Sequence, residues 1–214
     1  MARQSKLVYK FIAGNLALDF TNTVHTAALP DPRDEFKKIE DLLDWARRAR
    51  LLTAQYSTRL TKQFQSRPVR AQQALARALR LRSVIYRLFS RQAESGNIDE
   101  KALAQFNRWF RTAMSHVRII RQAHGVPLEQ TKGRLAFGWD LPSSRPLDRI
   151  LWEITRSAAD LLLSSDLQRV GQCKDDFCSW LFVDASRNGR RCWCSMQLCG
   201  NRARVRSYRS RQSA

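Results

Sequence analysis

All five cysteines of this 214-residue chain lie between Cys173 and Cys199. That crowding limits what the C-terminal end can fold into more than any other feature of the sequence. Four of the five form two pairs with one internal gap, Cys173/Cys178 and Cys194/Cys199, each C-x4-C, with fifteen residues between the pairs. A tetrahedral metal needs four ligands converging from two tight turns, and closely spaced cysteine pairs supply them. The intervening sequence suggests how the halves meet. Leu181-Phe182-Val183 is short and apolar, as a strand is. Ser186-Arg187-Asn188-Gly189 is turn-rich, and Asn-Gly is a strong hairpin signal because both residues tolerate positive φ. Arg191 to Cys194 is then expected as the return strand, bringing Cys194 beside Cys173 and Cys178. The reading is one structural Zn²⁺ held by four thiolates. Two disulfide bridges and an iron–sulfur cluster are the competing uses of the same thiols. The missing secretory signal argues against the first, and the small hairpin frame suits zinc better than the second. Cys192 lies two positions before Cys194 and reads as a spare thiol, an alternative ligand or a redox-sensitive neighbour.

The segment Trp193-Cys194-Ser195-Met196-Gln197-Leu198-Cys199-Gly200-Asn201-Arg202 resembles the signature of the CGNR zinc-finger proteins, bacterial proteins regarded as transcription regulators. The upstream C-x4-C, the series Phe182, Asp184, Ser186 and Asn188, and the paired arginines match as well. Cys192 departs from the pattern, which usually has a basic residue there. Such proteins commonly carry an N-terminal domain called ABATE, and Gly14-Asn15-Leu16-Ala17-Leu18-Asp19-Phe20-Thr21-Asn22-Thr23 is similar to its opening motif. The resemblance implies a DNA-binding regulator.

Charge points the same way. Lysine and arginine total 38 against 19 acids, a formal net charge of +19, which favours polyanionic partners. An arginine-rich genome would explain Arg over Lys but not the excess of bases over acids. At 43% apolar residues the chain can bury a core. No stretch approaches a membrane span, and with no secretory signal and clustered thiols the cytoplasm is the expected compartment.

Taken in order, Leu16, Phe20 and Thr23 share a helical face. Asp19 and Asn22 then sit either at the edge of a ligand pocket or on a solvent-facing flank. Residues 27–34 read as a two-proline loop whose Asp34 caps a helix to about Arg50. Helices are expected from Thr53 to about Gln65, from Pro68 to about Ala93, from Asp99 to about Met114, and from Pro146 to about Ser165. The numerous arginines of the longest one, Arg70, Arg77, Arg80, Arg82, Arg87 and Arg91, are expected to coat a solvated face, with a secondary nucleic-acid surface as the sharper alternative. Between about 117 and 139 the period shifts to two, with Leu135, Phe137 and Trp139 on one face, as in a β-hairpin. A turn is expected at 124–133 and a Pro/Ser loop at 141–146.

The three histidines, His25, His116 and His124, have no partner spaced for a catalytic triad, and no phosphate loop or paired carboxylates appear. Four thiolates leave zinc no open position for water, so no enzymatic activity is expected. The tail is more informative. From Gln168 onward there are ten basic and three acidic residues, a net charge of +7. A helix starting near Cys199 would place Arg202, Arg206 and Arg209 on one face. Candidate nucleic-acid contacts are therefore Asn188, Arg190, Arg191, Asn201, Arg202, Arg204, Arg206 and Arg209.

The expected fold is α+β and mostly α. A helical N-terminal domain with a small β-hairpin, residues 1–167, is expected to sense a small molecule or partner. A treble-clef-like zinc module, residues 168–214, is expected to bind double-stranded DNA. RNA binding or thiol-based redox sensing by the same module are the alternative functions, and a second copy of the chain is a further candidate partner.

Overall fold

The computed structural model of the chain describes residues 9–25, 33–121, 135–140 and 147–212. The expected loop at 27–34 falls outside these up to residue 32, as do the turn at 124–133 and the loop at 141–146. The elements in order are α1 (Leu16–Thr21), β1 (Val24–His25), β2 (Arg33–Asp34), α2 (Ile39–Arg48), α3 (Ala54–Gln65), α4 (Pro68–Ser95) and α5 (Glu100–Met114). There follow β3 (Val117–Arg121), β4 (Leu135–Trp139), α6 (Asp148–Leu163), β5 (Val170–Gln172), β6 (Leu181–Val183) and α7 (Asn201–Gln212). Among the described residues the strands form three antiparallel two-stranded pairs, and the other elements are helices.

The long helix α4 is the axis of the molecule. Pro68 starts it, where a missing N–H costs nothing, and Gly96 ends it at φ 69°, the left-handed conformation a C-terminal cap needs. Its buried face carries Ala78, Leu81, Val84, Ile85, Leu88 and Phe89. Helices α1, α2, α3, α5 and α6 and strand β5 all pack on it. Asn15 caps α1 and Thr53 caps α3, each accepting from backbone N–H groups of the first turn. Phe20, Phe36 and Trp45 form an aromatic cluster beside α1, with ring centroids 5.3–6.2 Å apart.

Two expectations are corrected here. Asp34 does not cap α2. It sits in β2, accepts the N–H of Phe36 at 2.9 Å, and pairs through both carboxylate oxygens with Arg82. Helix α2 begins instead at Ile39, where Asp41 accepts the N–H of Lys38 at 2.9 Å. Nor do the α4 arginines simply coat a solvated face. Arg82 is buried, donating also to Thr23, and Arg77 pairs with the buried Asp148 at 2.8 Å. Arg87 reaches Asp99 at 2.9 Å and Arg91 reaches Glu94 at 3.1 Å, while Arg70 and Arg80 are exposed. A polar residue inside an apolar stripe is buried only when a partner from another element meets it, and periodicity cannot show that partner.

The β3–β4 hairpin has the expected span, pairing Val117 with Trp139 and Arg121 with Leu135. Of its apolar face only the Trp139 end is buried, against Trp152 and Ala113, with the indole N–H donated to Glu153 at 2.8 Å.

Candidate metal centre and the basic surface around it

The metal centre is assembled on the third strand pair. Strands β5 and β6 pair Val170 with Val183 and Gln172 with Leu181, and the loop between them is the first cysteine knuckle. The Cys173 N–H donates to Trp180 O at 2.9 Å, and the Cys178 N–H donates to Asp175 O at 2.8 Å. The return strand expected at Arg191–Cys194 does not form, so β6 pairs backwards with β5 and not forwards across Asn188-Gly189. Gly189 adopts positive φ and Asn188 does not, so the two-residue hairpin turn that needs both is absent. Asp184 decides the geometry. Its two oxygens accept the N–H groups of Ser186 and Arg191, both at 2.8 Å, folding the loop onto one carboxylate.

The second pair enters through the turn that precedes α7. The N–H groups of Cys199 and Gly200 donate to Ser195 O at 3.0 and 3.1 Å. A Cβ on Gly200 would run into the Met196 sulfur and lie 3.2 Å from Trp193, so a larger residue here requires the exposed Met196 side chain to move aside. One backbone bond joins the halves, from Lys174 N–H to Cys192 O at 2.9 Å.

All four sulfurs are buried and lie within 4.8 Å of one another. Cys178 and Cys194 are 3.7 Å apart, and Cys194 and Cys199 are 3.5 Å apart. A tetrahedron with metal–sulfur bonds of ~2.3 Å has edges of about 3.8 Å. The spacing therefore matches one shared ion, and no two of the cysteines are bonded to each other. As bare thiols the four conflict. Hydrogen bonding from Cys178 and Cys194 draws Cys173 down, while the bond to Cys173 pushes Cys178 up. Bonds to the same two sulfurs push Cys194 up, and burial raises Cys199. A divalent cation removes the conflict by stabilising all four as thiolates. The chain has a site for one Zn²⁺ held by Cys173, Cys178, Cys194 and Cys199. Cys192 is partly exposed, with its thiol 3.5 Å from Arg190 O, and is not in the cluster.

The eight nucleic-acid candidates separate into two groups. Arg191 is a clamp. Its guanidinium donates to four carbonyls, those of Ile12, Val183, Trp193 and Cys194, and lies 4.2 Å over the ring of Phe182. Arg202 and Arg206 anchor α7. Asp175, with a side chain 0% exposed, lies 2.9 Å from Arg202 and 2.8 Å from Arg206. The first contact is an ion pair without an aligned N–H, and the second is a hydrogen bond. Arg202 also donates to Cys199 Sγ at 3.0 Å. Asn201 donates to Gln197 O at 3.2 Å from an exposed position. Asn188, Arg190, Arg204 and Arg209 are exposed.

Asp19 and Asn22, expected either at a pocket or on a flank facing solvent, are both buried. One Asp19 oxygen accepts the N–H groups of Ile12 and Ala13, each at 2.9 Å. Burial nevertheless pushes its carboxyl up to about 6, against the pull of those two bonds. Asn22 donates to Leu181 O at 2.8 Å and accepts the Leu181 N–H at 2.9 Å, completing the free edge of β6. With Gly14 at φ 77° turning the chain, the Ala13 carbonyl meets the Val183 N–H at 2.7 Å. The opening motif thus holds the metal module's second strand. The residues that reasoning from sequence missed are Asp175, Arg169 and Trp180. Asp175 was legible only as one acid in a basic segment. Arg169 donates to the carbonyls of Asp184 and Ser186 at 2.6 and 2.9 Å, and Trp180 donates to Val24 O at 3.2 Å. Nothing in the local sequence singles out either one.

Among the described residues, no helix is long and apolar enough to cross a membrane. A search of curated proteins found no match. Comparison with protein-family models gave two matches. Residues 14–165 match ABATE, described as "Putative stress-induced transcription regulator", and residues 169–212 match the CGNR zinc finger. The first match covers most of the chain and the second covers the four-cysteine site, so the chain belongs to the ABATE family and ends in a CGNR zinc finger.

Proposed function

We propose that this protein is a zinc-dependent transcription regulator that binds duplex DNA through its C-terminal module, in the cytoplasm, under the control of a small molecule received by the N-terminal domain. The observation that carries the reading is the way charge is sorted around the metal site. Of the segment's three acids Asp175 and Asp184 are buried and only Asp176 is exposed, beside Arg206, whereas Arg187, Arg190, Arg204 and Arg211 are all exposed. Metallation does not cancel the positive field. Four thiolates and Zn²⁺ together subtract two charges from the segment's net +7, leaving about +5. Guanidinium groups on such a surface fork onto phosphate oxygens and displace counterions. Asn188 and Asn201, both exposed, are suited to a base edge or a phosphate. The ion is structural in this reading, because four thiolates fill its coordination shell, and no catalytic role is assigned.

The test is fluorescence anisotropy with a labelled duplex over a salt series, for the zinc-loaded chain and an Arg190→Ala, Arg204→Ala double variant. Loss of two phosphate contacts predicts binding about tenfold weaker or more, and a log–log salt slope smaller by about two. Equal affinity and slope for the two proteins would remove DNA binding from this surface. A structured RNA that outcompetes the duplex would shift the assignment to RNA.

A further inference from the structure

The β3–β4 hairpin is held to the body of the protein at one end. Trp139 is packed down, but on the same face Ile119, Leu135 and Phe137 are 60%, 69% and 51% exposed. Among the described residues neither edge of this pair has a further strand. Two strands alone make a marginal sheet in water, and a free edge offers its backbone groups to another strand. The two edges are not alike. β3 carries Arg118 and Arg121, and charge on an edge is a common protection against unwanted pairing. β4 carries no charge in five residues, in a chain of which 27% is charged.

The open edge of β4 is phased to pair with itself. The Asp140 N–H donates to His116 O at 2.8 Å. Inward and outward bonding alternate along an antiparallel strand, so Ala136 and Gly138 bond to β3. Leu135, Phe137 and Trp139 then turn their N–H and C=O groups outward, at positions symmetric about Phe137. A second copy laid antiparallel across a two-fold axis there pairs Phe137 with its counterpart and Leu135 with Trp139 of the other copy, each pair exchanging two backbone bonds. Aromatic and aliphatic side chains meet on one face, and only Ala136 and Gly138 meet on the other. Charge suits the same register. In the sequence Arg134 precedes β4 and Asp140 follows it, so self-pairing about Phe137 sets opposite charges against each other at both ends. The arginines nearest the edge have acids of their own. Arg118 lies 3.7 Å from Asp140, and Arg156, 4.3 Å over the Phe137 ring, lies 3.7 Å from Asp160. A chain of net charge +19 repels its copies, and this edge lets two of them meet without opposing like charges.

We infer that the open edge of β4 is a homodimer interface, at which two hairpins join across a two-fold axis at Phe137 into one four-stranded antiparallel sheet. The inference stands on the hairpin alone and holds whether the zinc module binds DNA, RNA or neither.

The experiment follows the full zinc-loaded chain, without DNA, by sedimentation velocity. So small a contact makes a reversible dimer, with a Kd on the order of 10 μM, and the series therefore runs from about 1 to about 500 μM. Phe137→Lys, at a half-exposed position, sets two ammonium groups together on the axis and should weaken the dimer about tenfold or more. Ile119→Lys, equally exposed but on the inner strand, should change it by less than about threefold. Hydrogen exchange read residue by residue gives a second measurement on the unsubstituted chain. Protection of the Leu135, Phe137 and Trp139 amides should rise with protein concentration, while that of Ala136 and Gly138, already bonded to β3, should not. A chain that stays monomeric throughout, or a dimer that Phe137→Lys leaves intact, overturns the interface. Equal weakening by Ile119→Lys, or protection that rises as much at Gly138, overturns the strand pairing in favour of contact through the apolar face.

Discussion

The two halves of the zinc module are built differently. The knuckle half, β5 through β6, is part of the main core: Val170, Leu181 and Val183 pack with the helices, and Asn22 and Ala13 complete the edge of β6. The second half, α7, has no buried residue and is held by the cysteine at its start and by Asp175. One ion joins a segment that the rest of the protein already positions to a cationic helix that little else positions. The difference teaches that zinc here is less a folding nucleus for a separate domain than a rivet fixing α7 to a finished surface. A small isolated finger would depend on its metal throughout. This one should depend on it unevenly.

Metal removal is the most severe challenge to that comparison. Chelation, or Cys194→Ser, forfeits a binding free energy of about 10–16 kcal/mol in zinc-finger peptides. Hydrogen exchange should then show α7 unprotected while Leu181 and Val183 keep most of their protection. Equal loss in both halves would show that the knuckle too is folded by its ion. Next in size is Arg191→Ala, which strips a guanidinium from four carbonyls and exposes the ring of Phe182. About 3–4 kcal/mol of stability should be lost, measured by urea denaturation of the zinc-loaded protein. Arg191→Lys should recover only part of it, since an ammonium cannot fork to four acceptors.

A pH profile sharpens the core side of the comparison. Asp19 has its folded pKa raised to about 6, so the folded state holds its proton more tightly than the unfolded chain does. Its contribution is fully present below about pH 4 and is lost as pH rises through about 6. Asp19→Asn should remove that decline, up to about 3 kcal/mol, from the stability profile. An unchanged slope between the two pH values would show that burial does not govern this carboxyl. The smallest effect belongs to the exposed helix. Asp175→Asn should cost about 1–2 kcal/mol, because both partner guanidinium groups are half exposed and screened. It should loosen α7 in hydrogen exchange and leave β5–β6 unmoved.

Much of the architecture was legible because it is local. The helix starts at Thr53, Pro68 and Asp99 follow from capping and ring geometry, and the period of two before Trp139 marked β4. The metal ligands were legible because four thiols at matched spacing are a chemical pattern that needs no tertiary context. What escaped is what depends on partners distant in sequence. Asp34 has the right chemistry for a cap but is captured by Arg82, 48 positions away. The Asn188-Gly189 turn gave way to a loop organised by Asp184, because Asn22 and Ala13 had already taken the edge of β6.

By itself, the sequence determined the zinc ligands, the helical framework and the net positive charge of the last segment, since spacing, periodicity and composition act without reference to distant residues. Only the tertiary structure decided which arginines are available. Arg190 and Arg191 are neighbours with the same side chain, yet one projects into solvent and the other is enclosed by carbonyls from both ends of the chain. The physical reason is that a guanidinium goes where unsatisfied acceptors converge, and that convergence exists only once Ile12, Val183 and Cys194 have been brought together.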